Sequence, residues 1–125
     1  MKPLTFVTAD SCRTHLESLR QLLFSSFPGS TIYQHSNLLH VPHDVLNKKV
    51  DAVFLEAEIG QTDGLDCMKL LRRQKPDLPV FILSKNEEVR ERAEAAGASG
   101  CFVLPGSEQQ LLDAIRLVKI RHAAG

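Results

Sequence analysis

Carboxylates and a hydroxyl stand where apolar runs stop. In "DAVFLEAEIGQTDG" the run Ala52 to Leu55 ends on Glu56, with Glu58 following and Asp63 directly before Gly64; Asp10 follows "LTFV", and "LPVFILS" closes on Ser84. Oxygen donors of this kind suit a hard divalent cation, and Asp10, Glu56 and Glu58 are candidates for a weak, roughly millimolar Mg²⁺ or Ca²⁺ site. The pattern His40-x-x-His43-Asp44 spaces two nitrogen ligands over a helical turn, but Pro42 lies between them and no third ligand can be named, so surface histidines are the expectation. His15, His35 and His122 are scattered, and Ser84 lacks a G-x-S-x-G elbow and an identifiable base. "GSEQQ" is too short for a Walker loop. An autonomous enzyme is not expected.

The composition narrows the partners. Fifteen basic and fifteen acidic side chains cancel in a chain of 125 residues that is 43% hydrophobic, so residues 1–125 read as one folded domain without a global field for nucleic acid or anionic lipid. Direct nucleic-acid contact and membrane association are not expected. Cys12, Cys67 and Cys101 are odd in number and far apart, without C-x-x-C spacing, which fits reduced thiols in a cytoplasmic protein. The apolar start is too short and too interrupted for a signal peptide or a membrane span.

The elements that must position these groups alternate. "LTFV" reads as a strand, and Leu16, Leu19, Leu22 and Leu23 repeat at helical spacing between Ser11 and Phe24. "TIYQH" has the strand habit, and a short helix is expected to begin near Pro42, where a missing N–H costs nothing. "DAVFLE" is continuous in the manner of a strand covered on both faces. A turn at Asp63-Gly64 leads to a stripe of Leu65, Met68, Leu70 and Leu71. "LPVFILS" is a further strand, followed by a charged helix with small apolar positions at Val89, Ala93 and Ala96. "GCFVL" is the fifth strand, and Leu111, Leu112, Ile115, Val118 and Ile120 run down a last helix. Such alternation with short turns predicts an α/β fold, a five-stranded parallel sheet with helices on both faces. Its functional crevice lies beyond the carboxyl ends of the strands.

Asp10 after the first strand, an acidic residue after the third, the Asp63-Gly64 pair, Ser84 closing the fourth strand, "AEAAGASGCFVLP" and Pro105 together resemble the receiver domain of two-component response regulators over essentially the whole chain. The resemblance implies a (βα)5 receiver-like fold. It also implies a phosphoacceptor at Glu56, Mg²⁺-binding acidic residues around Asp10, a phosphoryl-binding hydroxyl at Ser84, a switch residue at Cys101, and a lysine directly before Pro105, the candidate for a cis-proline. This sequence departs from the family's pattern: the acceptor position holds glutamate instead of aspartate, Asp10 has Ala9 and Ser11 as neighbours, and the lysine position is Leu104.

Glutamate extends the reach of an aspartate by about 1.5 Å, and a misplacement of about 1 Å costs roughly 100-fold in rate. Leu104 removes a cation. These departures predict a degenerate (pseudo-receiver) member with Glu56 as a vestigial acceptor position and Asp10 and Glu58 as a vestigial acidic pocket. It is expected to signal without phosphorylation and without a cofactor beyond weakly held Mg²⁺. Contact would be with a second copy, an output domain (DNA-binding in many members) or another protein, through the helices bearing Glu87 to Glu94 and Asp113, Arg116, Lys119 and Arg121. Two alternatives are an Mg²⁺-dependent phosphoacceptor receiver with an atypical acceptor site and a redox sensor acting through Cys101.

Overall fold

A computed structural model describes residues 3–59 and 62–124, with the side chains of Thr62 and of residues 119–124 outside the description. The expected readings of Lys119, Ile120, Arg121 and His122 therefore lie outside the described side chains.

The chain runs β1 (Thr5–Ala9), α1 (Arg13–Ser26), β2 (Thr31–His35), α2 (Val41–Asn47), β3 (Ala52–Glu56), β4 (Glu58–Ile59), β5 (Thr62–Asp63), α3 (Gly64–Gln74), β6 (Val80–Ser84), α4 (Glu88–Ala95), β7 (Gly100–Val103) and α5 (Glu108–Ala124). Five strands form a parallel sheet in the order β2-β1-β3-β6-β7, as the alternation of strands and helices predicts. The antiparallel pair β4 and β5 adds a small ribbon that the sequence did not announce, Glu58 opposite Asp63.

Side-chain alternation along the strands builds two cores. Val7, Ala9, Val53, Leu55, Val80, Ile82 and Cys101 face α2, α3 and α4, meeting Val45, Met68, Leu71 and Ala93. Val89 and Ala96 pack against this same core. The small apolar positions of α4 therefore pack on the sheet.

On the other face Phe6, Phe54, Phe81 and Phe102 stand side by side across four strands, with centroid spacings of 5.8, 5.3 and 5.9 Å, beneath Leu19 and Leu23 of α1 and Leu111 and Ile115 of α5. Glu56 continues the alternation of Ala52 and Phe54, which directs its side chain to the α1 and α5 face.

Asp63-Gly64 is the start of a helix, where a simple turn was expected. Asp63 caps α3, its carboxylate accepting from the Leu65 N–H at 2.8 Å. A Cβ on Gly64 would stand 2.2 Å from the Glu56 carbonyl oxygen, so only glycine lets α3 start against the end of β3. Pro42 lies in the first turn of α2, as its missing N–H requires.

Candidate functional site

The carboxyl ends of β1, β3 and β6 open into a cavity of about 400 Å³, walled by α1 and the start of α5. Asp10, Glu56, Ser84, Lys85, Leu104 and Pro105 all line it. The register explains the convergence: Ala9 pairs with Leu55 and Glu56 with Leu83, so the residues ending the three strands arrive at one level.

Asp10 is 5% exposed. One carboxylate oxygen accepts from the Cys12 N–H at 2.8 Å and the other lies 3.5 Å from His15 Nδ1. Burial pushes the Asp10 carboxyl above its ordinary 3.8, the Cys12 hydrogen bond opposes that, and the neighbouring Glu56 pushes it further up through like charge and a shared hydrogen bond. Glu56 is half-buried, and one of its oxygens accepts from both the N–H and the hydroxyl of Ser11, each at 2.9 Å. Its second oxygen takes no part in those bonds.

Ser84 donates its hydroxyl to the Asn86 carbonyl at 2.9 Å and accepts from the Asn86 N–H at 3.2 Å. Leu104 occupies the wall where the resemblance placed a lysine, and it precedes a cis peptide bond to Pro105. Lys85, which the sequence reading passed over, is the single lysine or arginine among the described residues lining the cavity.

The acidic pocket is Asp10 with Glu56; Glu58 is exposed on β4 and lies outside it. Cys101 is 2% exposed on the opposite face of the sheet, among the residues packed under α4, and burial pushes its thiol above the ordinary value of 9.0. A redox sensor needs an accessible, low-pKa thiolate, so the redox reading of Cys101 does not stand.

The expectation of signalling without phosphorylation is also corrected. Asp10 and Asp44 are both buried, 5% and 7% exposed, and both have basic neighbours, His15 at 3.5 Å from Asp10 and His35 with Lys48 beside Asp44. The acidic end of the sheet is a built structure and not a degenerate strand end left in solvent. Sequence reading missed both histidines because their partners stand on other elements or across a turn: His35 Nε2 meets Asp44 at 2.6 Å from the end of β2, and the Asp10 N–H binds the His35 carbonyl at 3.1 Å. His40 and His43 are exposed at the start of α2, His43 beside Asn47.

The sequence matches the response regulator receiver domain family over residues 7–116. Response regulator MprA of Mycobacterium sp. (strain KMS) is 30% identical over 116 residues, covering 91% of this chain and 50% of that protein. MprA of Mycobacterium leprae (strain TN) is 30% identical over 115 residues, covering 90% and 50%. The chain spans about half the length of these curated relatives. A response regulator receiver domain protein from Clostridium thermocellum superposes with a TM-score of 0.84 at 20% identity, over 97% of this chain and 98% of that one. Chemotaxis response regulator CheY4 of Vibrio cholerae gives 0.79 at 16%, over 94% and 99%. Among the described residues no helix is long and apolar enough to cross a membrane.

Proposed function

Because the chain belongs to the response regulator receiver family, a family of signalling modules and not of metabolic enzymes, we propose that it is an Mg²⁺-dependent phosphoacceptor receiver with an atypical acceptor, Glu56. The observation that carries this reading is the convergence of Glu56, buried Asp10, Ser84 and Lys85 on one cavity at the strand ends.

Ser11 holds one Glu56 oxygen by two hydrogen bonds, which fixes the carboxylate and leaves the other oxygen as the nucleophile. In-line attack on a small acyl phosphate forms an acyl phosphate on Glu56 and releases the donor's carboxylate. Ser84 Oγ is placed to donate to the transferred group on leaving its Asn86 partner, and Lys85 supplies positive charge in place of Leu104. The donor set fits Mg²⁺: Asp10 and Glu56 are hard oxygen ligands whose mutual repulsion a divalent cation relieves. When bound, Mg²⁺ supplies charge compensation for the phosphoryl oxygens.

The wider reading is a cytoplasmic module that passes its state on by contact with an output domain, one for transcriptional control included, or with a second copy. It is supported by the full-length MprA relatives being about twice as long. Incubation with acetyl phosphate and Mg²⁺, followed by intact-mass measurement, tests the core proposal. A stoichiometric acid-labile adduct that is absent in Glu56→Gln is expected. An unmodified mass, or an adduct unaffected by Glu56→Gln, overturns it. Sedimentation with and without the phosphodonor tests self-association.

A further inference from the structure

The cavity beside Glu56 is not shaped only for a phosphoryl group. Its walls are mostly apolar, with Leu19 and Leu22 of α1, Leu83 of β6, and Leu104 with Pro105 before α5, while the acidic Asp10, Glu56 and Glu108 line it against Lys85 and His15. About 400 Å³ falls within the roughly 300–1,000 Å³ of small-molecule sites, which pair apolar walls with a few convergent polar groups.

Leu104 is the source of this asymmetry. A lysine there would send its chain and ammonium toward the acidic pair; leucine withholds the charge and widens the apolar wall. A buried carboxylate, Asp10, and a half-buried one, Glu56, are left side by side on the cavity wall. One strand repeat before Asp10, on the same face, Thr8 is fully buried and its hydroxyl has no hydrogen-bond partner among the described residues, so the strand beneath the acidic corner retains an unmet polar group.

We propose that this cavity is a binding site for a small amphipathic organic cation, an ammonium or guanidinium on an apolar body, whose charge meets Asp10 and Glu56 and whose body lies on Leu19, Leu22 and Leu104. The ligand takes the place of the missing lysine from outside the chain. The site stands whether or not Glu56 accepts a phosphoryl group, so the mass experiment above and the experiment here fail separately.

Three probes of one shape decide it: phenethylamine, phenethyl alcohol and phenylacetate, titrated into the intact chain and followed by amide-resolved NMR. Phenethylamine is expected to bind at least about 10-fold more tightly than the alcohol, the usual worth of a charge-assisted hydrogen bond, with phenylacetate weakest. Shifts should centre on Leu19, Leu83 and Leu104. Glu56→Gln, which keeps the shape and the Ser11 contacts, should remove about that factor of 10 for the amine and leave the alcohol unchanged. Leu104→Lys should abolish amine binding while its unperturbed spectrum elsewhere confirms folding. Equal affinity for the three probes, shifts centred away from the cavity, or amine binding that ignores Glu56→Gln overturns the proposal.

Discussion

Asp44 and Asp10 are both buried beside a histidine near the carboxyl ends of the first two strands, yet their neighbours move their proton affinities in opposite directions. Asp44 takes a hydrogen bond from Lys48, is in contact with His35 at 2.6 Å, and is held below the ordinary 3.8, the Lys48 bond being the largest cause. Lys48 in turn lies 4.7 Å over the Tyr33 ring, so the cluster ties α2 to β2. Asp10 has His15 at 3.5 Å but also Glu56 at its side, and burial holds it above 3.8. The first aspartate is satisfied and serves the fold. The second has a single, partly exposed histidine to set against burial and a neighbouring carboxylate, which is the condition for holding something else.

The comparison breaks most visibly at Asp44. Asp44→Ala should cost about 2 kcal/mol in urea denaturation, because it strips two charge-assisted partners from a buried site, while leaving phenethylamine titrations and the acetyl phosphate adduct unchanged. A loss of either with the fold intact would mean that the two aspartates form one functional unit. Lys48→Met should cost less, about 1 kcal/mol, since its ion pair is partly solvated and its stacking on Tyr33 is only partly replaced.

At Asp10 the sign should reverse. Asp10→Asn keeps an acceptor for the Cys12 N–H and removes the like-charge contact, so at neutral pH it should be neutral or stabilising by up to about 1 kcal/mol while weakening Mg²⁺ and amine binding. A cost of about 2 kcal/mol there would show that Asp10, like Asp44, is a structural residue.

The pH profiles sharpen the contrast. Asp44 has a depressed folded value, so its stabilisation is present above 3.8 and is lost as pH falls through the folded value. Asp10 has a raised one, so its penalty is absent below 3.8 and sets in as pH rises toward the folded value. Wild type minus Asp44→Asn should therefore shrink on acidification, and wild type minus Asp10→Asn should become more favourable; two profiles of the same sign would refute the contrast. The smallest effect belongs to His15→Gln, about 0.3 kcal/mol, because that side chain is 40% exposed.

The sheet was legible because its strands are covered on both faces and so read as unbroken apolar runs, as in Ala52 to Leu55. The boundaries drifted where capping decides them: Asp63-Gly64 has the composition of a turn, and only its position against the end of β3 makes it the cap and first residue of α3. At the site, Asp10, Glu56, Ser84 and Leu104 were legible because each ends a strand or directly follows one. Ser11, His15, His35 and Lys85 were not, since their partners are distant in sequence or belong to a cavity.

What the sequence determined by itself is the alternation of strands and helices, the family, and the departures at Glu56, beside Asp10 and at Leu104, all of which are local in the chain. Only the tertiary structure decided what the departures produce. The parallel register brings Asp10 against Glu56, the β7 to α5 connection swings Leu104 over them, and α1 closes the wall. Burial then acts on charges that residue type alone leaves unranked: Asp44 keeps a lysine four residues along its own chain and a histidine from the end of β2, while the sheet register sets Asp10 against a second carboxylate.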